Sequence, residues 1–489
     1  MRTDKGEINL TQKRQSSSLL SPQARGGDIA EGGFQYQFNS TIAQIPNWLA
    51  QDGFTEMIRE ALGDAEARFF VPSVGFWYEL VEYKNHHLKA SKFWEEIEHF
   101  QKIDGQAPNT YQQFMLGCKS VAEELVPITN ALKRVRDPYS FYNTAQQIQD
   151  ISYTDFVEVV EARNKSKDIA DFLFLKVRFK LDSTDAESHP RGLFTEEMKR
   201  YFPEFNKLSG EVTNAAYTEL IELVKSRRNK PIYRHELEKA IWQEMKEKDR
   251  PEPTIKIHTE HDANTDKGPD GCLQFDWKSI FGGPNRNFPP AEEWNRKVVS
   301  QLQSTKKWLI STERSRHIHL NGHRRLSASI AIGSIFSAVA GFTIGIETRD
   351  GIWWTNSHAK EDTPDYQWQQ SIDGGPAGEI AVGISILKDT ANEEVERYLK
   401  TKHFQGKRLY LFSSMALQSD NQANRAVQKA KSVIQELTSK TQAKKIHLFF
   451  AGPAQFALFL GHRLNTLGEI QCYERISPNT YVPTVLIET

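Results

Sequence analysis

Cysteine is scarce in this sequence. Its 489 residues contain three cysteines, Cys118, Cys272 and Cys472, which lie far apart and include no CxxC pair. Three separated thiols do not form the disulfide framework of a small secreted protein. A reducing, cytoplasmic compartment fits this cysteine usage best.

A surplus of charge of either sign is also missing. Lys and Arg number 62 and Asp and Glu 63, which gives a formal net charge of −1. Bulk charge therefore favours neither nucleic acid nor a membrane surface as a partner, and any polyanion site has to be built locally. Ordinary glycine and proline contents and an aromatic share of 11% exclude collagen-like, heptad-repeat and wholly disordered chains. The length predicts about two to four globular domains.

A long run of bulky aliphatic residues is absent as well. The 21 residues from Leu326 to Ile346 carry no charge, but four serines, one threonine and three glycines interrupt them. We therefore predict a buried helix followed by a buried strand, with a break near Ala340 and Gly341, and no membrane span. The N-terminus has charges but no apolar core, so it is not a secretory signal, and residues 1–22 are predicted to be a mobile leader.

The first hundred residues predict a compact α-β-β-α unit. Helical apolar spacing covers 33–50 and again 87–102. Between them, 65–71 and 76–83 are predicted to be strands joined by Pro72–Ser73.

Further along, the pattern changes twice. Residues 111–248 are predicted to be mostly helical, with strand-like alternation at 170–182, and 251–290 are rich in Pro, Gly and Asp, as a connection between domains would be. Strands and helices then alternate in the manner of a doubly wound parallel sheet, first over 292–355 and again over 379–487. Two fused Rossmann-like halves are predicted.

The strongest chemical motif is Glu82-Tyr83-Lys84, with Asp64 18 residues before Glu82 at the start of the preceding predicted strand. Period-two alternation places Glu82 and Lys84 on one face of a strand. Asp64, Glu82 and the main-chain carbonyl of Tyr83 are oxygen ligands suited to Mg²⁺. Such a metal polarises a phosphodiester, while Lys84 orients water or stabilises the transition state. The alternative interpretation of the same triplet is a solvated strand face with an ordinary salt bridge.

These residues carry a resemblance to a known family. The segment GGFQYQ (32–37), Asp64 and Glu82-Tyr83-Lys84 resemble the PD-(D/E)xK nuclease domains of bacterial defence effectors. The segments HIHLNGHRRLSASIAIGSIF, KKIHLFFAGPAQFALFLGHRLN and YVPTVLI resemble a SAVED domain. Nuclease followed by SAVED is the arrangement of the Cap4 family of cyclic-oligonucleotide antiphage (CBASS) effectors. Leu62-Gly63 replaces the proline that the nuclease motif has before its first acid, so Glu66 is an alternative to Asp64.

The resemblance implies an α/β multidomain fold. It places a restriction-endonuclease-like domain at 23–250, with a catalytic core at about 25–105 and a helical part at about 106–250. A linker at 251–290 follows, and a SAVED domain of two fused CARF-like (Rossmann-like) halves at 291–489. The implied function is metal-dependent (Mg²⁺ or Mn²⁺), largely non-specific cleavage of double-stranded DNA. An adenine-containing cyclic trinucleotide is the expected activator, with self-association on binding.

DNA contacts are predicted in the densest positive run of the helical part, Lys225, Arg227, Arg228 and Lys230. A weaker candidate is the group Lys133, Arg134 and Arg136.

The cyclic oligonucleotide is predicted to bind beyond the carboxyl ends of parallel strands, where loops lead into helix N-termini. The candidate contacts in these loops are Arg324, Arg325, Ser413, Ser414, Gly452, Pro453 and Gln455, with Trp353 and Trp354 as platforms for adenine rings.

Two other functions compete with this interpretation. One is a ligand-binding sensor or scaffold whose nuclease fold is inactive, which a metal-dependent DNA-degradation assay separates from the nuclease. The other is a nicotinamide-dependent dehydrogenase, and it is excluded because no GxGxxG follows any predicted strand.

Overall fold

The structure is a computed structural model, and it describes residues 22–136, 146–181, 188–261, 270–283, 286–349, 351–358, 363–375 and 378–488, with side chains from residue 33 onward. Residues 1–21 of the predicted leader lie outside these ranges. The chain divides into two compact units. The first comprises residues up to Trp48, Glu56–Ala67 and Tyr78–Glu247, and the second comprises Leu49–Thr55, Arg68–Trp77 and Lys248–Thr489.

Most of a mixed six-stranded sheet lies in the first unit. Its strands are β1 (Phe54–Arg59), β2 (Ala65–Val71), β3 (Gly75–Leu88), β4 (Tyr111–Val121), β5 (Val177–Leu181) and β6 (Ile232–Tyr233). Its helices are α1 (Pro22–Leu49), α2 (Ala90–Gln106), α3 (Val126–Arg136), α4 (Gln146–Glu161), α5 (Lys167–Lys176), α6 (Pro190–Tyr201), α7 (Gly210–Ser226) and α8 (Arg234–Trp242). The sheet order is β5-β4-β3-β2-β1-β6, with β3, β4 and β5 parallel. The predicted strands at 65–71 and 76–83 are confirmed as β2 and β3.

One part of the predicted helical region is a strand. Residues Tyr111–Val121 form β4 between β3 and β5, and the helix predicted from residue 111 begins only at Val126. The run Phe114–Cys118 is buried at every position, because β4 lies between parallel neighbours. A strand buried on both faces lacks the alternation that distinguishes it from a helix in sequence. Likewise, of the strand expected at 170–182 only β5 forms, after α5; residue 182 is not described.

The second unit contains two sheets. Its strands are β7 (Thr254–Glu260), β8 (Leu273–Asp276), β9 (His317–Gly322), β10 (Thr343–Thr348), β11 (Gly351–Trp354), β12 (Gln369–Gly374), β13 (Glu379–Ile386), β14 (Lys407–Ser413), β15 (Lys445–Ala451), β16 (Glu469–Ser477) and β17 (Thr480–Glu488). Its helices are α9 (Lys278–Phe281), α10 (Ser300–Ser311), α11 (Leu326–Ile335), α12 (Ala391–Thr401), α13 (Asp420–Thr441) and α14 (Ala454–Arg463), and a π-helical turn, Trp294–Val299, leads into α10.

Both sheets have a parallel centre. The first has the order β11-β10-β9-β7-β8, in which only β11 is antiparallel to its neighbour. The second has the order β12-β14-β13-β15-β16-β17, with the central four strands parallel and both edge strands antiparallel. The predicted α/β architecture with alternating strands and helices is confirmed.

The segment 251–290 differs from the expected linker. It supplies β7 and β8 to the first of these sheets, and Ile255, Ile257, Leu273 and Phe275 are buried in the core. The Pro- and Asp-rich stretches that suggested a linker flank these short strands instead of filling the segment. The first Rossmann-like half therefore begins well before residue 292.

The uncharged segment 326–346 is a buried helix, α11, followed by a buried strand, β10, as predicted. The chain turns between them at Gly341, whose φ of +78° lies in the left-handed region. None of the helices described is long and apolar enough to cross a membrane. Helix α11 packs closely on α14 at two glycines: a Cβ on Gly333 would lie 2.2 Å from the Leu458 carbonyl oxygen, and one on Gly461 would lie 2.1 Å from that of Ile330.

Candidate functional site

The first candidate site lies in the first unit, where the start of β2 meets β3. Asp64 directly precedes β2, and its main-chain N–H donates to the Val81 carbonyl at 3.0 Å and to Glu82 Oε2 at 3.2 Å. In return, Asp64 Oδ2 accepts a hydrogen bond from the Tyr83 main-chain N–H at 2.6 Å. The two carboxylates and the Tyr83 peptide therefore share one site, as the spacing of the motif predicted.

Lys84 belongs to the same site and has two acidic partners. Its Nζ lies 3.0 Å from Glu82 Oε1 and 2.8 Å from Glu96 Oε1, which is carried by α2. Burial alone would lower the pKa of Lys84, but Glu82 and Glu96 outweigh it and raise this pKa above its ordinary value. Lys84 is therefore a fixed ammonium ion beside the carboxylates. Nothing in the sequence pattern singled out Glu96, because it lies on a different element.

The acids at this site repel one another. Burial and the neighbouring Glu82 raise the pKa of Asp64 from 3.8 to about 7. A divalent cation would remove this repulsion, and the oxygens present, from Asp64, Glu82 and the Tyr83 carbonyl, are of the type that Mg²⁺ prefers. In the part of the chain that the structure describes, no group of three or more His, Cys, Asp or Glu side chains is arranged as a metal site. A cation here therefore needs the carbonyl and water besides the two carboxylates.

Two nearby polar residues have structural partners. Gln37, on α1, donates its side-chain N–H to the Tyr83 carbonyl at 3.3 Å. Glu66, the alternative to Asp64, accepts from the Leu62 main-chain N–H at 2.8 Å and from the Tyr111 hydroxyl at 3.2 Å. Both Glu66 oxygens are thus engaged, which favours Asp64 as the first acid.

The predicted DNA-contact segment reaches the turn that leads to Asp64. Arg228 forms an ion pair with Glu60, and the Asn229 main-chain N–H donates to the Arg59 carbonyl at 3.2 Å. Glu60 in turn donates its main-chain N–H to the Asp64 carbonyl at 2.9 Å.

The four predicted contacts in this segment have different environments. Arg227 is paired with Glu236 at 2.6 Å, and Lys225 Nζ lies 5.5 Å from the ring centre of Phe38. Lys225 and Lys230 are exposed. In the weaker candidate group, Arg136 donates to the main-chain carbonyls of Leu173, Phe174 and Val177, which is a structural role.

The second candidate site is a cavity of about 380 Å³ in the second unit. His261 follows β7, Lys388 lies just beyond β13, and Gly452 follows β15, so the cavity lies at the carboxyl ends of parallel strands from both sheets. This is the edge where α/β sheets bind ligands. Basic residues dominate its wall: Arg286, Arg324, Arg325, Lys388 and Arg475.

The cavity brings together part of the predicted ligand contacts. Arg324, Arg325 and Gly452 line it, whereas Ser413, Ser414, Pro453, Gln455, Trp353 and Trp354 are not among its lining residues. Ser413 is buried, and its Oγ accepts from the Met415 main-chain N–H at 3.2 Å. The Trp354 main-chain N–H donates to Asp420 at 3.2 Å. The aromatic rings that do line the cavity are Phe288, Phe450 and Tyr473.

The two adjacent arginines differ in role. Arg324 donates to Thr259 Oγ1 and to the Asn321 and Gly322 carbonyls at 2.9 to 3.3 Å, and burial lowers its pKa to about 10. It therefore braces the ends of β7 and β9. The guanidinium of Arg325 instead lies over the rings of Phe281 and Phe288, at 4.5 and 4.7 Å from their centres.

Known proteins match the C-terminal part of the chain and also nearly its whole length. Residues 301–487 match the family described as "SMODS-associated and fused to various effectors sensor domain", abbreviated SAVED. The fold and this match define a mixed α/β multidomain protein with a C-terminal SAVED domain. Over its length the chain is a homologue of CD-NTase-associated protein 4. It is 28% identical over 479 residues to that of Acinetobacter sp. (strain ATCC 27244 / 9458) and 27% identical over 473 residues to that of Moraxella osloensis, covering 96% of this chain and 99% of each relative.

A solved structure agrees over nearly the whole chain. It is the Acinetobacter baumannii Cap4 SAVED/CARF-domain containing receptor with the cyclic trinucleotide 2'3'3'-cAAA. The TM-score is 0.80 at 25% identity, covering 94% of this chain and 99% of that one.

Proposed function

We propose that the chain is an effector nuclease of a CBASS-type system, in which a cyclic trinucleotide bound to the SAVED domain activates metal-dependent cleavage of double-stranded DNA. The observation that carries the proposal is the full-length similarity to a receptor solved with 2'3'3'-cAAA, combined with a basic cavity in the matching domain of this chain. An anionic, adenine-bearing ligand suits a wall of arginines and aromatic rings. A cytoplasmic location is part of the same proposal.

The nuclease half of the proposal depends on Asp64, Glu82 and Lys84. Asp64, Glu82 and the Tyr83 carbonyl would hold Mg²⁺ or Mn²⁺. The ion supplies polarisation of the scissile phosphodiester and a lowered pKa of bound water. Lys84, fixed between Glu82 and Glu96, places a positive charge where negative charge develops on the phosphate. Lys225, Arg227, Arg228 and Lys230 are proposed to contact the DNA backbone.

Activation is proposed to include self-association. The chain has a net charge of −1, so its bulk charge gives one copy no general attraction to DNA. Ligand-driven association would bring several basic segments onto one duplex. Light scattering with and without ligand tests this step, and an unchanged mass alongside activated cleavage would contradict it.

Incubation of plasmid DNA with the full chain, Mg²⁺ and 2'3'3'-cAAA tests the whole proposal. We expect ligand-dependent degradation that EDTA stops. Lys84→Ala should lose cleavage by about 100-fold or more while binding the ligand normally, because its change is confined to the nuclease site. The matched control is Lys92→Ala, whose exposed side chain pairs with Glu95. Ligand binding without cleavage by the unaltered chain would favour the inactive-scaffold alternative.

A further inference from the structure

The N-terminus of helix α11, a predicted phosphate site, already has an anion from the protein itself. The Ser327 main-chain N–H, in the first turn of α11, donates to Glu474 Oε1 at 3.1 Å. Glu474 lies on β16, and it is the one acidic residue among the described residues that line the cavity. Its side chain is 12% exposed. A carboxylate therefore occupies the position that helix N–H groups offer to a phosphate.

Arg325 supports the presence of an anion site at this point. It directly precedes α11, lines the cavity and is 8% exposed. Its Nη1 lies 3.9 Å from Glu474 Oε2, beyond hydrogen-bond distance, and is buried without a hydrogen-bond partner among the described residues. A buried guanidinium N–H left unpaired is costly, so this donor has capacity for a ligand oxygen.

The charges around Glu474 are mostly positive. Arg286 and Arg325 lie near enough to favour its ionised form, and Lys388 and Arg475 also line the cavity. Arg475 is held by two hydrogen bonds to Glu394 on α12. Burial nevertheless raises the pKa of Glu474 above its ordinary value. An ionised Glu474 would repel any phosphate that approaches Arg325 and the start of α11.

We infer that the Glu474 carboxylate occupies the place of a ligand phosphate and thereby lowers the affinity of the cavity for anionic ligands. The inference rests on the proposed function, because the cyclic trinucleotide is the anion considered. Binding of the ligand then requires Glu474 to give up its contact with Ser327 or to take up a proton.

Glu474→Gln tests the inference, because it removes the charge and keeps an oxygen that accepts from Ser327. Isothermal titration of the full chain with 2'3'3'-cAAA should show binding about tenfold tighter than the unaltered chain. Glu474→Ala should also bind more tightly. The matched control is Glu469→Gln on the same strand, whose carboxylate pairs with Lys445 outside the cavity and which should bind as the unaltered chain does. Affinity that is unchanged or weaker in both Glu474 variants overturns the inference.

The pH dependence provides a second measurement. Binding to the unaltered chain should tighten as the pH is lowered from about 8 to about 5, because a protonated Glu474 no longer repels phosphate. His261 also lines the cavity, and it is present unchanged in E474Q. The pH dependence should therefore be smaller in E474Q, and an equal dependence contradicts the role of Glu474. If the unaltered chain binds and E474Q binds equally, only this inference fails; if neither binds, the proposed function fails and the inference with it.

Discussion

Lys84 Nζ lies 2.8 Å from Glu96 Oε1, so the lysine of the proposed nuclease site is held by a carboxylate from helix α2 as well as by its strand neighbour Glu82. All three side chains are about 20% exposed. Solvent and salt screen partly buried ion pairs less than exposed ones, so these two pairs restrict the position of Lys84 more than an exposed ion pair would. Glu96 is therefore a positioning residue for Lys84.

Glu96→Gln should slow DNA cleavage by about tenfold, because Lys84 loses one of the two charges that fix it. Ligand binding should be unchanged. Glu95→Gln is the matched control: its carboxylate is adjacent in sequence and more exposed, and it pairs with Lys92. Single-turnover cleavage over a range of pH values, together with thermal unfolding, distinguishes a positioning role of Glu96 from a purely structural one. A purely structural role would lower thermal stability without reducing the cleavage rate of the folded fraction. Equal rates for the two variants would contradict the positioning role.

The raised pKa of Asp64 predicts a pH-dependent response to metal, if the proposed metal site is correct. Because its pKa is raised from 3.8 to about 7, its contribution to stability is fully present below about pH 4 and is lost as the pH rises through about 7. Without metal, the unaltered chain should therefore lose stability between about pH 4 and about pH 7 relative to Asp64→Asn. Added Mg²⁺ should stabilise the unaltered chain most above about pH 7, where Asp64 is ionised.

Thermal unfolding in EDTA and in Mg²⁺ measures both effects. Asp155→Asn, at an exposed position of α4, is the control and should behave as the unaltered chain. Glu79, which is buried and also has a pKa of about 7, contributes the same background to all three proteins. If the thermal stability of Asp64→Asn depends on pH and Mg²⁺ as that of the unaltered chain does, Asp64 is not a metal ligand.

Particular residues show what could and could not be predicted from the sequence. That Asp64, Glu82 and Lys84 lie close together could be predicted, because strand alternation and a short turn bring them together locally. The contacts of Glu96 with Lys84 and of Glu474 with Ser327 could not be predicted, because these residues lie on other elements and packing that no spacing rule encodes brings them together. β4 was taken for a helix because its run Phe114–Cys118 is buried throughout and has no period of two. β12 was not predicted because its six residues are all exposed and mostly polar, and only its pairing with β14 defines it as a strand.

Gly333→Ala should destabilise the second unit by about 1–3 kcal/mol. The added Cβ would lie 2.2 Å from the Leu458 carbonyl oxygen, and a backbone atom cannot move aside as a side chain can. Gly105→Ala, within α2, is the control, because its Cβ would meet nothing within 4 Å. That substitution should be neutral or slightly stabilising, since alanine favours helix over glycine. Denaturant unfolding measures both, and equal stability of the two variants would show that α11 and α14 can separate at no cost.

The last prediction concerns the basic segment beside the proposed nuclease site. Lys225 and Lys230 are exposed, whereas Arg227 and Arg228 are paired with Glu236 and Glu60. The double variant Lys225→Ala/Lys230→Ala should therefore weaken binding to duplexes of any sequence. Each lost phosphate contact should also reduce the slope of log K against log salt by about 0.9. Titrations of labelled duplex in EDTA at several salt concentrations measure both, with Lys102→Ala, an exposed lysine on α2, as the control. If the double variant keeps the slope of the unaltered chain, these two lysines do not contact DNA and the phosphate contacts lie elsewhere.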